Sequence, residues 1–521
     1  MSSLFCNLSK VKSKCSQWAS LLYNSNRLPW IIILIGVALR LGLYLANNSL
    51  WLDESRIALN IVNKSFPELL KPLDYKQVTP FGFLIIEKFL VQSFGNNEYI
   101  LRLFPLISGI ISLLLFYKVA KHSIKKEAVI IALGLFALSG YLIRYSSEVK
   151  QYSSDVAVTL LLYTVTIFLL SQGLKIKHVV FFGATGIIAM WISHPSAFVL
   201  AGIGVSLFLF FLVKRDWIKL GRLSIVYSIW LLSFATFYFV SSVDTSNIVE
   251  LMQQGWDSSN DFMPFPPSSA SDVKWFVAKF FGIFTNPVGL HFHGIAAFTF
   301  IIGCVSMLSK NKLLFFMLLS PIFITLLVSG FHMYPFTGRL LLFIVPSVLL
   351  FIAEGTEYIR CKTKHNSAIV GIILIGILFF HPILFTSYSS ITKQNPFKQW
   401  TITENIKPVM RYIKEHKQEG DILYLYYASS AAFKYYAERY GFNNNKYILG
   451  VESRGNWENY KNDLNKLRGN IRVWLLFSHV WKGNGVDEEK LFLYHLDSIG
   501  KRLDHFKSDG AAVYLYELSS N

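Results

Sequence analysis

The sequence predicts a polytopic α-helical membrane protein of about eleven spans with a C-terminal extracytoplasmic α/β domain, and three observations carry that expectation. Of 521 residues, 53% are hydrophobic and only 16% are charged, more apolar surface than one soluble core hides. Eleven apolar stretches have roughly the 20-residue length that crosses a bilayer. Beyond residue 388 the chain turns abruptly polar and mixed in charge.

Residues 1–27 are polar and basic and read as a cytoplasmic N-terminal segment without the pattern of a cleavable signal. The spans are expected at 28–46, 98–120, 126–144, 153–171, 178–193, 196–213, 222–242, 289–308, 313–331, 340–357 and 367–386, within a membrane domain covering 28–387. The basic clusters between them all fall on one side: Lys10, Lys12, Lys14 and Arg27; Lys118, Lys121, Lys125 and Lys126; Lys175 and Lys177; Lys214, Arg215, Lys219 and Arg222; Lys310 and Lys312; Arg360, Lys362 and Lys364. Short basic loops mark the cytoplasmic side, so the N-terminus is expected inside and, with an odd number of spans, the C-terminal domain outside the plasma (inner) membrane. Orientation and anionic head groups account for the net charge of +18. The sequence shows no basic–aromatic platform or zinc-finger spacing, so nucleic acid is not an expected partner.

Residues 47–97 form a large outer loop. Its apolar run at 79–91 is short, carries Glu87 and Lys88 at its middle, and would invert the downstream charge pattern if it crossed. It is therefore expected to lie in the membrane interface, together with an amphipathic segment near 55–70. In the region 388–521, helical patterns at 404–417 and 456–467 alternate with short apolar runs at 422–427, 473–477 and 512–516, the pattern of an α/β domain. This domain has no glycine-rich phosphate fingerprint. The four cysteines, Cys6, Cys15, Cys304 and Cys361, map to the cytoplasmic side or to a span. They imply no disulfide framework outside and have no metal-site spacing. No cofactor is indicated, and the need for a divalent metal is left open.

Three outer segments concentrate ionisable residues. Asp53 and Glu54 follow the first span by about six residues, at a depth where a carboxylate could take a proton from a hydroxyl; an ordinary solvated loop would carry the same pair. Between the third and fourth spans, 144–152 reads RYSSEVKQY. If the next helix begins near Glu148, Glu148 and Tyr152 share a face while Lys150 points elsewhere; the alternative is snorkelling at a span end. The segment 332–339 ends on Arg339, an external cation at a helix start, where both the helix dipole and the orientation rule oppose it. Such a cation needs an anionic partner, either a phosphate or an internal carboxylate. His194, a further outer-face histidine, ranks below these as a structural residue.

In order along the chain, Trp51-Leu52-Asp53-Glu54, Thr79-Pro80-Phe81-Gly82, Phe94-Gly95-Asn96-Asn97-Glu98, Leu101-Arg102-Leu103-Phe104-Pro105 and the 144–152 segment resemble the GT-C superfamily of membrane glycosyltransferases. The resemblance is to family 39, which includes protein O-mannosyltransferases and the bacterial aminoarabinose transferase of lipid A. These motifs cover roughly the first 170 residues. Arg339 resembles an outer-loop arginine of that group, and the tail resembles the outer α/β domain of many bacterial members. Thr79 stands where many relatives have His or Lys, and Lys150 where many have Arg, keeping the charge without the planar fork.

The resemblance implies a transferase that moves a sugar from a polyprenyl-phosphate donor to an extracytoplasmic acceptor hydroxyl on a protein, lipid or glycan. Asp53 takes the position of the catalytic aspartate. An inverting transfer needs one carboxylate base and no covalent intermediate. Glu54 and Glu148 are then expected to orient the base or the acceptor, and Arg102, Lys150, Tyr152 and Arg339 to bind substrate. A membrane polysaccharide polymerase, a membrane acyltransferase and a lipid or glycan transporter are the alternatives.

Overall fold

A computed structural model describes residues 27–242, 246–362, 366–391, 404–442, 447–483 and 485–518. The basic residues Lys10, Lys12, Lys14 and Lys364 and the cysteines Cys6 and Cys15 lie outside the described residues. All eleven expected spans are helical. Eight are helices long and apolar enough to cross a membrane: Leu28–Leu45, Leu103–Ser123, Tyr152–Ser171, Ser196–Val213, Trp217–Phe239, His293–Lys310, Lys312–Gly330 and Gly338–Cys361. Two more, Ile176–Ile192 and Val370–Leu384, are apolar but shorter. The third expected span is broken at Ser139 into Lys126–Leu138 and Gly140–Tyr145. At this break Arg40, wholly buried in the first helix, donates to the carbonyls of Gly36 (2.9 Å) and Ala137 (3.4 Å), satisfying an orphan acceptor of the last turn.

The helix Val345–Lys362 runs through the centre of the bundle, with residues 348–353 almost fully buried. Two glycines permit that position. A Cβ at Gly303 would sit 1.8 Å from the Phe351 carbonyl oxygen, and one at Gly355 would sit 1.9 Å from that of Thr299. Only backbone without side chains packs that closely, as at other small-residue crossings of membrane helices.

The second expected span begins later than its apolar run suggests. Glu98–Leu101 is a separate short helix, capped by the Asn97 side chain, and Leu103–Ser123 starts after Arg102. Two further helices, Ser246–Ser258 and Ala270–Thr285, lie between the seventh and eighth expected spans. Ser269 caps the second of these, accepting from the Asp272 N–H while the Asp272 carboxylate accepts from the Ser269 N–H.

The C-terminal domain is built on a five-stranded sheet in the order Ile448–Leu449, Ile422–Leu425, Val473–Ser478, Ala511–Glu517, Lys501–Ser508. The first two pairings are parallel and the last two antiparallel. The three apolar runs read from the sequence are its central strands, buried on both faces. Its helices include Ile406–His416, Ser430–Ala437, Trp457–Asn465 and Glu488–Ile499.

This domain corrects the expectation for the outer loop. The amphipathic segment forms the helix Leu52–Asn63, but its apolar face packs against the domain instead of lying along the bilayer. Ile57, Ala58, Leu59 and Ile61 share one core with Ile406, Val409, Met410, Ile413 and Tyr436. The second outer helix, Phe81–Phe94, buries Phe83, Leu84, Glu87 and Lys88 and leaves Phe89 and Phe94 exposed.

Polar groups fix the docking around Glu98. Its carboxylate accepts from Lys407 Nζ (3.0 Å), Arg439 Nη1 (2.9 Å) and the Tyr436 hydroxyl (3.1 Å). Burial opposes its charge, but Lys407 and Arg439 outweigh burial and hold Glu98 down from 4.5 to about 2. With the folded value depressed, the stabilisation is complete above about 4.5 and is lost as pH falls towards 2. Glu98→Gln is expected to lower stability at pH 7 by roughly 2–4 kcal/mol and to flatten the acid limb of the unfolding profile. Thermal unfolding followed from pH 7 down to pH 3 checks both.

Candidate active site

The helix Leu52–Asn63 opens with adjacent carboxylates, which a helix turns about 100° apart. They therefore face different surroundings. Glu54 points inward and is 1% exposed. It takes a two-pronged contact from Arg102 (Nε to Oε1 2.9 Å, Nη2 to Oε2 2.7 Å), the Val149 N–H (2.9 Å) and the Trp51 N–H (3.3 Å). Arg102 also donates to the Asn48 carbonyl (2.8 Å) and, at 3.4 Å, to that of Ser49. Burial works against the guanidinium, but Glu54 prevails and raises Arg102 above its ordinary value.

Asp53 faces the other way, onto a cavity of about 660 Å³. Its Oδ2 lies 2.8 Å from Arg339 Nη2. The Arg339 guanidinium is flanked by the rings of Trp51 (5.7 Å) and Tyr152 (5.6 Å), a cation–π arrangement that orients its planar fork. Arg339 is delivered by Gly338, whose φ of +45° favours glycine. The Tyr334 hydroxyl closes this loop onto the Leu340 carbonyl at 2.9 Å.

Lys150 enters from a third segment and donates to Gln77 Oε1 at 2.9 Å. Burial pushes its pKa down to about 8 against the pull of Asp53. Burial also opposes the charge on Asp53, but Lys150 and then Arg339 more than compensate, holding that carboxyl below its ordinary value. The cavity wall thus presents an ionised carboxylate among cations, with Arg56 and Lys76 further round it.

The structure brings together Asp53, Lys150, Tyr152 and Arg339 and turns three other expected site residues away. Glu54, Arg102 and Glu148 do not line the cavity. Glu148 pairs with Arg144 (2.6 Å), and burial raises it above the ordinary carboxylate value although Arg144 pulls the other way. The helix expected to begin near Glu148 begins at Tyr152, because 146–151 form turns. Lys150 and Tyr152, not Glu148 and Tyr152, therefore share the cavity. Arg339 finds its internal carboxylate in Asp53. His332 pairs with Asp257 at 3.0 Å, off the cavity wall.

Asp155, Asn286, Trp256, Tyr334 and Gln77 line the cavity without having been singled out, and His194, ranked low, lines it too. Asp155 carried a readable signal, as an acid in an apolar span three residues beyond Tyr152. Among the described residues no three His, Cys, Asp or Glu side chains come together in a way that could hold a metal ion. The cations around Asp53 disfavour a further positive charge beside it.

No model of a known protein family matches the chain, and no curated protein matches it. Among solved structures it is similar to ArnT from Cupriavidus metallidurans in the apo state, with 12% identity over 94% of this chain and 98% of that chain and a TM-score of 0.53. The same protein bound to undecaprenyl phosphate aligns over the same shares at 11% identity, with a TM-score of 0.53. Archaeal oligosaccharyltransferase AglB from Archaeoglobus fulgidus, in complex with an inhibitory peptide and a dolichol-phosphate, aligns over 93% of this chain and 74% of that chain at 11% identity, with a TM-score of 0.47. At such identities the likeness is one of fold. The chain is a polytopic helical membrane protein with the fold of ArnT, carrying a C-terminal α/β domain.

Because Glu54 is buried against a guanidinium and two backbone N–H groups, Glu54→Gln leaves Arg102 uncompensated. It is expected to cost roughly 3–5 kcal/mol of stability, whereas Asp53→Asn, on a solvent-filled wall, costs far less. Melting temperatures of the two purified variants decide this, and equal losses would count against the division of roles.

Proposed function

We propose that the chain is an integral-membrane glycosyltransferase of the family 39 kind, which moves a sugar from a polyprenyl-phosphate donor to an acceptor hydroxyl at the extracytoplasmic face of the plasma (inner) membrane. The observation that carries this reading is the convergence of Asp53, Lys150 and Arg339, from three distant segments, on the wall of one cavity beside the membrane helices. The solved structure of ArnT with undecaprenyl phosphate, a protein of the same fold, supports a lipid phosphate as the ligand class.

In the proposed reaction the donor phosphate is held by Arg339, through two parallel N–H contacts, and by Lys150. Engaging the phosphate draws Arg339 away from Asp53. The freed carboxylate accepts the acceptor's hydroxyl proton as the hydroxyl oxygen attacks the anomeric carbon from the face opposite the phosphate. The bond from that carbon to the phosphate oxygen breaks, and its electron pair leaves with the lipid phosphate. Configuration inverts in one step. Asp155, His194 and Tyr152 supply hydrogen-bonding groups for the sugar and the acceptor. The ligand-free pairing of Asp53 with Arg339 keeps the carboxylate occupied until a phosphate arrives.

Asp53→Asn is expected to lower transfer roughly 10²–10⁴-fold while binding undecaprenyl phosphate as tightly as wild type or more tightly, since Arg339 loses its internal competitor. Label transfer from undecaprenyl-phosphate sugars to total membranes measures the first quantity and titration the second. Wild-type turnover by the purified variant would overturn the assignment.

Lys150 loses its charge as pH rises through about 8. Affinity for undecaprenyl phosphate is therefore expected to fall above that pH, and to stay level across the same window in Lys150→Arg, whose guanidinium remains charged. Binding isotherms between pH 6.5 and 9.5 test this.

A further inference from the structure

The C-terminal domain touches the segment that carries Asp53 at a place away from the cavity. Glu404, just ahead of the helix Ile406–His416, accepts the Leu52 N–H on Oε2 at 3.0 Å, and its Oε1 pairs with His479 Nδ1. Leu52 is the first residue of the helix bearing Asp53, and its N–H is one of the four that a helix start leaves without an internal partner. The cap therefore comes from another domain, more than 350 residues along the chain. His479 follows the strand Val473–Ser478 with φ +53°, a left-handed backbone that is uncommon outside glycine but which histidine adopts more readily than most side chains. That conformation directs its imidazole at Glu404 and sets the ring 6.4 Å from Trp51. Trp51 in turn lies under the Arg339 guanidinium, and Arg339 contacts Asp53. Two routes thus connect one pair of residues to the reacting groups, through the Leu52 N–H to Asp53 and through the Trp51 ring to Arg339.

We propose that Glu404 and His479 are positioning residues for the transfer: the C-terminal domain clamps the start of the Asp53 helix and the Trp51 ring, and so sets where Asp53 and Arg339 stand relative to each other. This rests on the reading of those two groups as base and phosphate clamp. Glu404 is buried and His479 partly exposed, and neither lines the cavity. The docking of the domain is held separately, by Glu98 with Lys407 and Arg439 and by the shared apolar core. Loss of the clamp is therefore separable from loss of docking. A reacting pair displaced by as little as an ångström loses up to about a hundredfold in rate, so the clamp acts on turnover more than on donor binding.

The test uses the full-length protein in lipid nanodiscs, comparing wild type, Glu404→Ala and Glu404→Gln, whose amide oxygen still accepts the Leu52 N–H. Hydrogen exchange of the peptide spanning 50–56 is read beside turnover in the label-transfer assay, affinity for undecaprenyl phosphate and melting temperature. Glu404→Ala is expected to speed exchange at Leu52 and to lower turnover about ten- to a hundredfold, with affinity changed less than about threefold. Glu404→Gln is expected to recover most of both. Unchanged turnover in Glu404→Ala, or a turnover loss that only tracks a fall in melting temperature with no recovery in Glu404→Gln, overturns the proposal and leaves the transferase reading standing. No label transfer by the wild type from any undecaprenyl-phosphate hexose or pentose overturns that reading, and this proposal with it.

Discussion

The buried pair of Glu54 and Arg102 is the contact on which the site depends. It joins the helix Leu52–Asn63, the junction ahead of Leu103–Ser123 and, through the Val149 N–H, the turn that carries Lys150. A paired charge in a low-dielectric interior tolerates little displacement, because loss of either partner leaves the other desolvated and alone. That intolerance is useful here. With Glu54 locked inward, helical geometry obliges its neighbour Asp53 to face the cavity, and the same carboxylate, through the Val149 N–H, brings Lys150 to that cavity too.

Around that anchor the electrostatics are arranged to keep opposite charges close without letting them neutralise one another permanently. Asp53 is held ionised by Lys150 and Arg339, while Lys150, more deeply buried, sits close to losing its proton. The side chains of Asp53 and Arg339 are 18% and 38% exposed, so their ion pair is far less insulated than that of Glu54 and Arg102, at 1% and 6%. Partial exposure weakens the attraction through solvent screening. An anion entering the cavity therefore competes for Arg339 on favourable terms, which a fully buried pair would not allow.

The C-terminal domain changes the solvent of the outer loop. A helix with an apolar face beside a membrane has two partners available, lipid or protein, and the helix Leu52–Asn63 takes protein, burying that face in the core it shares with Ile406–His416. Hydrogen bonds donated by the Ser49 hydroxyl and the Leu50 and Leu52 N–H groups to Asn405, Tyr436 and Glu404 then hold its entry in place. The loop that carries Asp53 is consequently a packed interdomain element with a defined conformation.

Hydropathy alone placed helices at all eleven expected stretches, eight of them long and apolar enough to cross a membrane, because span length and the exclusion of charge are one-dimensional demands that the bilayer places on a sequence. The central strands at 422–425, 473–478 and 511–517 were legible for the same kind of reason, as short apolar runs in a polar tail. Asp53, Lys150, Tyr152 and Arg339 were likewise visible as ionisable or aromatic residues at span ends, where such residues call for partners. What the sequence did not contain was the pairing. Nothing local distinguishes Asp53 from Glu54, or Lys150 from Glu148, since each pair has similar neighbours and differs only in the direction its side chain takes. That direction was decided by contacts between segments far apart in the chain, Arg102 with Glu54 and Arg339 with Asp53, and by the local pairing of Arg144 with Glu148 four residues on. Tertiary structure alone made Glu54 and Arg102 a buried strut and Asp53 and Arg339 the cavity wall, because an ion pair is specified by three-dimensional proximity and burial, neither of which residue order encodes by itself.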